Sequence, residues 1–90
     1  MAFSQAGERT PAAPVPVDVS VLGDTLVVRL DDGTVLRQPV ADFPRLARAN
    51  DAERARWQLC AGGAGIHWPL IDEDLSVAGL LRTATRTTAR

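Results

Sequence analysis

The sequence predicts an α+β fold, with a small antiparallel sheet of four to five short strands and two or three short helices on one face. Three observations predict it. Apolar and polar residues alternate early in the chain, with the two-residue period of a strand. Turn-forming residues separate the alternating segments. Helix-capping patterns follow in the second half of the chain.

Three strands are predicted first. In residues 17–22 valine alternates with Asp18, Ser20 and Leu22, and residues 26–30 are apolar apart from Arg29. The sequence Asp31-Asp32-Gly33 supplies the positive-φ turn of a hairpin, which is expected to return the chain as a third strand over residues 34–40. Pro39 has no backbone N–H, so this strand should end there or lie at an edge.

Two short helices are predicted next. Asp42 is a candidate N-cap, and Pro44 is tolerated in the first turn of a helix. Asn50 and Glu53 have the spacing of a capping box, which starts a second helix that reaches about Arg56.

Two more strands and a last helix complete the domain. Residues 57–60 and 66–68 are predicted strands, joined by a flexible glycine loop over residues 61–65. Either Asp74 or Ser76 is expected to cap a helix over residues 77–82.

The chain has 90 residues, which favours one small domain. We expect residues 1–16 to form a Pro/Ala-rich disordered tail, residues 17–82 the domain, and residues 83–90 a second disordered tail. Cys60 is the single cysteine, which suits a reducing compartment. Neither a signal peptide nor a membrane span is recognisable, so the sequence predicts a soluble, cytoplasmic protein.

The most distinctive segment is residues 65–81, which holds the single histidine beside an aromatic residue and three acids. We interpret it first as scaffold and second as a partner-binding surface, because an apolar anchor with a charged rim is typical of protein interfaces. The residues assigned to that surface are His67, Trp68, Asp72, Glu73 and Asp74. Helix capping with a solvated turn is the preferred explanation of the acids, and core packing that of the tryptophan.

Two other classes of function are weaker alternatives. Nucleic-acid binding would use the helical arginines Arg45, Arg48, Arg54 and Arg56, but acids lie between them and the net charge is -1. A metal-dependent enzyme would use His67, but zinc needs three or four suitably spaced ligands, and no such motif is present. The glycine loop lacks the GK[ST] ending of a P-loop. We therefore expect no catalytic residue and no cofactor.

The segment "DGTVLRQPVADFPRLARANDAERARWQLCAGGAGIHWPLIDEDLSVAGLL" resembles a family of small bacterial proteins known only as a domain of unknown function. Its block "IHWPLIDEDLSVAGLL" is the specific part. The chain departs from the family pattern at Ala64, where many members carry an aromatic residue, and at Ala78, where many carry glutamate. The resemblance implies pairing with another small protein encoded nearby, in the manner of a toxin–antitoxin module.

Together, these observations favour a non-enzymatic, antitoxin-like or regulatory module that binds a small protein. A homodimer is also plausible, because a core this small often gains stability by association. Membrane binding is not expected, and nucleic-acid binding is possible but not favoured.

Overall fold

The structure is a computed structural model that describes residues 14–88, and it confirms the α+β class. The strands are β1 (Pro16–Leu22), β2 (Thr25–Leu30), β3 (Thr34–Pro39), β4 (Gln58–Cys60), β5 (Gly65–Trp68), β6 (Glu73–Ser76) and β7 (Thr85–Thr88). The α-helices are α1 (Pro44–Arg48), α2 (Asp51–Ala55) and α3 (Val77–Thr83). Short 3₁₀ turns cover Val40–Asp42 and Ala61–Gly63.

The larger sheet is antiparallel and has the order β1-β2-β3-β7. Val28 pairs with Val19 on one side and with Leu36 on the other, which places a row of buried aliphatic side chains on one face. The β2–β3 hairpin turns at Gly33, whose φ of 91° is open to glycine without steric cost. The hairpin predicted from the sequence is therefore confirmed.

The strands β4, β5 and β6 form a separate three-stranded antiparallel sheet in that order. The chain leaves the larger sheet after Pro39 and folds into a 3₁₀ turn, α1 and α2 before it reaches β4. This helical segment separates β3 from β4 along the chain, which explains why the strands divide between two sheets. The strand β6 was not predicted, because its acids resemble a turn and a helix cap.

Both sheets contribute to one hydrophobic core. Its most completely buried members are Trp68, Leu26, Leu36, Leu46, Ile66 and Val28. Phe43, Trp57, Ile71, Leu75 and Leu81 pack against this cluster and are partly buried. The core therefore links the larger sheet, α1 and the smaller sheet into one packed unit.

The predicted helix caps are confirmed in α2 and α3 and wrong in α1. Asn50 Oδ1 accepts from the Glu53 N–H, and Glu53 Oε1 accepts from the Asn50 N–H, which completes the capping box. Ser76 Oγ accepts from the Gly79 N–H. Asp42 caps nothing, because the 3₁₀ turn places it one residue before the N-cap, and its carboxylate instead accepts from Gln38 Nε2.

The predicted C-terminal tail over residues 83–90 is wrong for residues 83–88. Thr83 ends α3, and β7 pairs with β3 along its length, with Leu36 opposite Arg86. Threonine is β-branched and suits a strand, a signal that the lack of large aliphatic residues obscured. Most of the predicted N-terminal tail, residues 1–13, lies outside the described residues, whereas Pro16 already belongs to β1. Across residues 14–88, no helix has both the length and the apolarity to cross a membrane.

Candidate functional site

The connection between β5 and β6 is a tight turn over residues 69–72. The Ile71 N–H donates to the Trp68 carbonyl oxygen at 3.3 Å, and Pro69 restricts the backbone at the start of the turn. Asp72 adopts a left-handed conformation with φ of 53°. Ile71 packs inward against the core, whereas Leu70 is 59% exposed at the tip.

A side chain from α1 fixes this turn from outside. Arg45 Nη1 donates to the Asp72 carbonyl oxygen at 2.6 Å. Glu73 Oε1 accepts from the N–H of the next residue, Asp74, at 3.2 Å. Asp72 and Asp74 are exposed, and Glu73 is half-buried. The turn and the first two residues of β6 therefore present one exposed apolar side chain and three carboxylates on a constrained backbone.

His67 and Asp74 are paired across β5 and β6. The two residues lie directly opposite each other, and His67 Nδ1 is 2.6 Å from Asp74 Oδ1. Their pair is of the type that exchanges no backbone hydrogen bonds, in which opposing side chains lie closest. The His67 side chain is 26% exposed and that of Asp74 is 67% exposed, so both lie on the outer face of the sheet. The expectation that His67 points away from Ile66 and Trp68 is confirmed.

Trp68 does not belong to the predicted partner surface. Its exposure is 0%, and its Nε1–H donates to the Arg54 carbonyl oxygen at 3.1 Å. A buried ring with a satisfied polar atom is a packing anchor, so it cannot contact a partner in this conformation. The exposed apolar residue of the segment is Leu70, which was not among the residues predicted for the surface. The available signal was Pro69, because proline suits the second position of a β-turn and turn tips lie at the surface, which places Leu70 there.

A groove of about 530 Å³ runs beside β6. Phe43, Leu75 and Leu80 supply apolar surface, while Asp42 and Asp74 supply carboxylates from two different elements. Gln38 links the far wall, because its Nε2 donates to Asp42 Oδ2 at 3.1 Å and its Oε1 accepts from Thr83 Oγ1 at 3.0 Å. Arg82 also lines the groove.

The four helical arginines do not form one uniform row of free cations. Arg54 donates to the carbonyl oxygens of Leu46 and Ala47 at 3.0 and 3.1 Å, and so closes the C-terminus of α1. Arg45 holds the Asp72 carbonyl oxygen, and Arg48 and Arg56 are exposed. Two of the four guanidinium groups thus serve the fold, which leaves little support for the nucleic-acid alternative.

In the described part of the chain, metal-ligating side chains are not gathered around His67. Within residues 14–88, no group of three or more His, Cys, Asp or Glu side chains could hold a metal ion. Cys60 is partly buried and lies against the backbone of its strand partner Gly65, where an added Cβ would be 2.8 Å from its Sγ. The thiol is thus packed on β5, and glycine at position 65 makes room for it.

Comparisons with known proteins give a family and a fold. The chain is similar to a crystal structure of a protein of unknown function from Rhodospirillum rubrum, with 25% sequence identity and a TM-score of 0.66. The similarity covers 79% of this chain and 88% of that one. No curated protein matches. The model of the family described as "Protein of unknown function (DUF2442)" matches residues 16–86, and the chain therefore belongs to that family.

Proposed function

We propose that this protein is a non-enzymatic, cytoplasmic module that binds another protein through the β5–β6 turn. The binding surface consists of Leu70, His67, Asp72, Glu73 and Asp74, and is called the acidic turn surface below. The observation that carries the proposal is Leu70, a large apolar side chain that is 59% exposed at the centre of a constrained, carboxylate-bearing turn.

Rigidity makes this turn suitable for binding. Binding costs less conformational entropy when the binding segment is already ordered. Here the Ile71 N–H bond to Trp68, the Arg45 bond to Asp72 and the inward packing of Ile71 fix the backbone. The arrangement of an apolar centre and a polar rim is the usual one in protein interfaces.

The carboxylates indicate the charge of the partner. Asp72, Glu73 and Asp74 are consecutive, and Arg45 is the basic residue in direct contact with the turn. A partner with a basic surface would associate faster and more selectively, and its binding would weaken with added salt. The family resemblance suggests a small, toxin-like protein encoded nearby, and a basic RNA-binding groove on it would fit these charges.

The experiment measures affinity for the product of the neighbouring gene by calorimetry. We expect Leu70→Asp to weaken binding by about thirtyfold, which corresponds to the 2 kcal/mol of an interface hot spot. Leu22→Asp is the matched control, because Leu22 is 64% exposed at the end of β1, beside a different turn, and the variant should bind normally. A folded Leu70→Asp variant with unchanged affinity would contradict the proposal.

The charge component is tested separately. The triple variant Asp72→Asn, Glu73→Asn and Asp74→Asn should lose affinity and most of its salt dependence. The control variant, Asp18→Asn and Asp24→Asn, changes exposed carboxylates on the larger sheet and its turn, and should retain both.

A further inference from the structure

We propose that β6 receives an extended basic peptide segment of the partner as an added strand, seated in the groove beside it. This inference rests on the proposed function, because the groove adjoins the acidic turn surface at Asp74 and its lining specifies the partner's chemistry. The groove lined by Asp42, Phe43, Asp74, Leu75 and Leu80 is called the β6 groove below.

The backbone groups of β6 point alternately toward β5 and toward the groove. The Val77 N–H donates to the Ala64 carbonyl oxygen, so residues 64 and 77 form a hydrogen-bonded pair in the register of β5 and β6. Such pairs alternate with pairs that exchange no bonds. The backbone groups of Leu75 therefore point toward β5, while the N–H groups of Asp74 and Ser76 and the Asp74 carbonyl point away from it. Strand β6 thus presents an edge to the groove.

A local contact occupies part of this edge at present. The Asp74 N–H donates to Glu73 Oε1 at 3.2 Å, which is a long bond to the side chain of the preceding residue. Glu73 can release this N–H by rotating its side chain. A peptide carbonyl can then take its place at little cost, as in other cases where a strand adds to a sheet edge.

The two faces of the groove specify the side chains of the added strand. Neighbouring residues of a strand point to opposite faces. On the outer face the new strand would meet Asp74, and on the inner face it would meet Leu75. Asp42 adds a second carboxylate, and Phe43 adds partly exposed apolar surface. A segment of alternating basic and aliphatic residues therefore matches the groove. Arg82 disfavours a basic residue at the α3 end.

The walls of the groove are already in place. Gln38 joins Asp42 to Thr83 by two side-chain hydrogen bonds, which tie the 3₁₀ turn to α3. Ser76 Oγ caps α3 and fixes the point where β6 ends. An added strand would therefore need only the rotation of Glu73, with no change of fold.

The test uses the full chain labelled with ¹⁵N and a blocked seven-residue peptide of alternating valine and arginine. We expect the peptide to shift the amide signals of Asp74 and Ser76 and to slow their hydrogen exchange. A peptide N-methylated on the amide that faces the Asp74 carbonyl should bind about fivefold more weakly, since one lost hydrogen bond costs about 1 kcal/mol. Unchanged exchange at Asp74 and Ser76, or protection of another edge strand instead, would overturn the inference.

Charge variants give an independent readout. Asp42→Asn with Asp74→Asn should weaken the arginine peptide about tenfold, and the control Asp18→Asn with Asp24→Asn should leave it unchanged. A peptide with glutamate in place of arginine should not bind. Equal binding of both peptides would contradict the assigned chemistry.

Failure of the added strand can be distinguished from failure of the proposed function. If Leu70→Asp abolishes partner binding while no peptide protects β6, the binding module stands and the added strand fails. If peptides protect β6 while Leu70→Asp binds the partner normally, the proposed binding role of the turn is wrong and the added strand stands. Light scattering could instead show that the protein is a dimer. If diluting that dimer speeds hydrogen exchange at Asp74 and Ser76, a second copy of the chain covers the edge of β6. The inference of a basic partner segment is then overturned.

Discussion

The two sheets of this protein are stabilised by different kinds of contact. The larger sheet has six- and seven-residue strands in its first three positions, and it buries rows of aliphatic side chains such as Leu26, Val28 and Leu36. The smaller sheet has strands of only three or four residues. It relies on two fully buried anchors, Ile66 and Trp68, and on side chains that hydrogen-bond to backbone carbonyls.

The difference explains where the candidate surface lies. Long paired strands satisfy most of their backbone hydrogen-bonding groups with each other, so few side chains are needed to satisfy them. Short strands leave turns and edges to be satisfied by side chains, as Arg45 does for Asp72 and Glu73 for Asp74. The smaller sheet is thus the region in which polar backbone groups, carboxylates and an exposed leucine lie together.

The largest effect is expected from Trp68→Ala. Removing a completely buried tryptophan costs about 3–5 kcal/mol, a large part of the stability of a small domain. Urea denaturation followed by circular dichroism should show a much lower midpoint, comparable to that of Leu26→Ala in the larger sheet. If hydrogen exchange in Trp68→Ala showed residues 16–39 still protected and residues 58–76 open, the sheets would be separate units without a shared core.

Arg54→Met should have the next largest effect. The guanidinium donates to the carbonyl oxygens of Leu46 and Ala47, and the Arg54 carbonyl oxygen accepts from Trp68. Losing hydrogen bonds of a charged donor at a half-buried site should cost about 1–3 kcal/mol in the free energy of unfolding. Arg56→Met is the control, because Arg56 is exposed, and it should change stability by less than about 0.5 kcal/mol. Equal effects would show that side-chain-to-backbone bonds do not stabilise this region.

Asp72→Gly should raise stability slightly. Asp72 has φ of 53°, a left-handed conformation that aspartate tolerates better than most L-residues, at a cost of up to about 1 kcal/mol, and that glycine adopts at almost none. The greater freedom of glycine in the unfolded chain offsets part of this gain, so we expect about 0.5 kcal/mol, measured by urea denaturation. Asp74→Gly is the matched comparison. It lies in the extended strand β6 and pairs with His67, so it should be destabilising.

The smallest effect is a pH dependence in the larger sheet. The Thr34 backbone N–H donates to Asp32 Oδ1 at 2.9 Å, and this bond, aided by the Thr34 hydroxyl, lowers the pKa of Asp32 below its ordinary 3.8. A group with a lowered pKa in the folded state stabilises the fold above the unfolded value, and that stability is lost as pH falls through the folded pKa. An NMR titration should give a midpoint below 3.8. Thr34→Val keeps the N–H and should return the pKa part of the way.

The larger sheet was largely predictable from sequence, because its signals are local. Alternating valines and the turn at Asp32 and Gly33 define strands without knowledge of distant residues. The Asn50 and Glu53 capping box is equally local and was confirmed. Strand β7 was not predictable in the same way, since its threonines gain order only from pairing with β3.

The candidate site was only partly predictable. The pairing of His67 with Asp74 depends on the register of two strands, and β6 was not recognised as a strand. Composition could not show whether Trp68 points inward, because a tryptophan suits both a core and an interface. The role of Arg45 in holding the Asp72 carbonyl spans 27 positions and depends on the packing of α1.

Strand β7 also bears on how the molecule is synthesised. It pairs Thr88 with Thr34, so one border of the larger sheet stays open until the ribosome has added 54 further residues. Local hairpins form in microseconds, whereas the pairing of β7 with β3 can form only after the whole intervening chain has been synthesised. During that interval β3 is an unpaired edge strand that other nascent chains can pair with. A mutation that delays the pairing of β7 should therefore promote aggregation before it alters the finished fold.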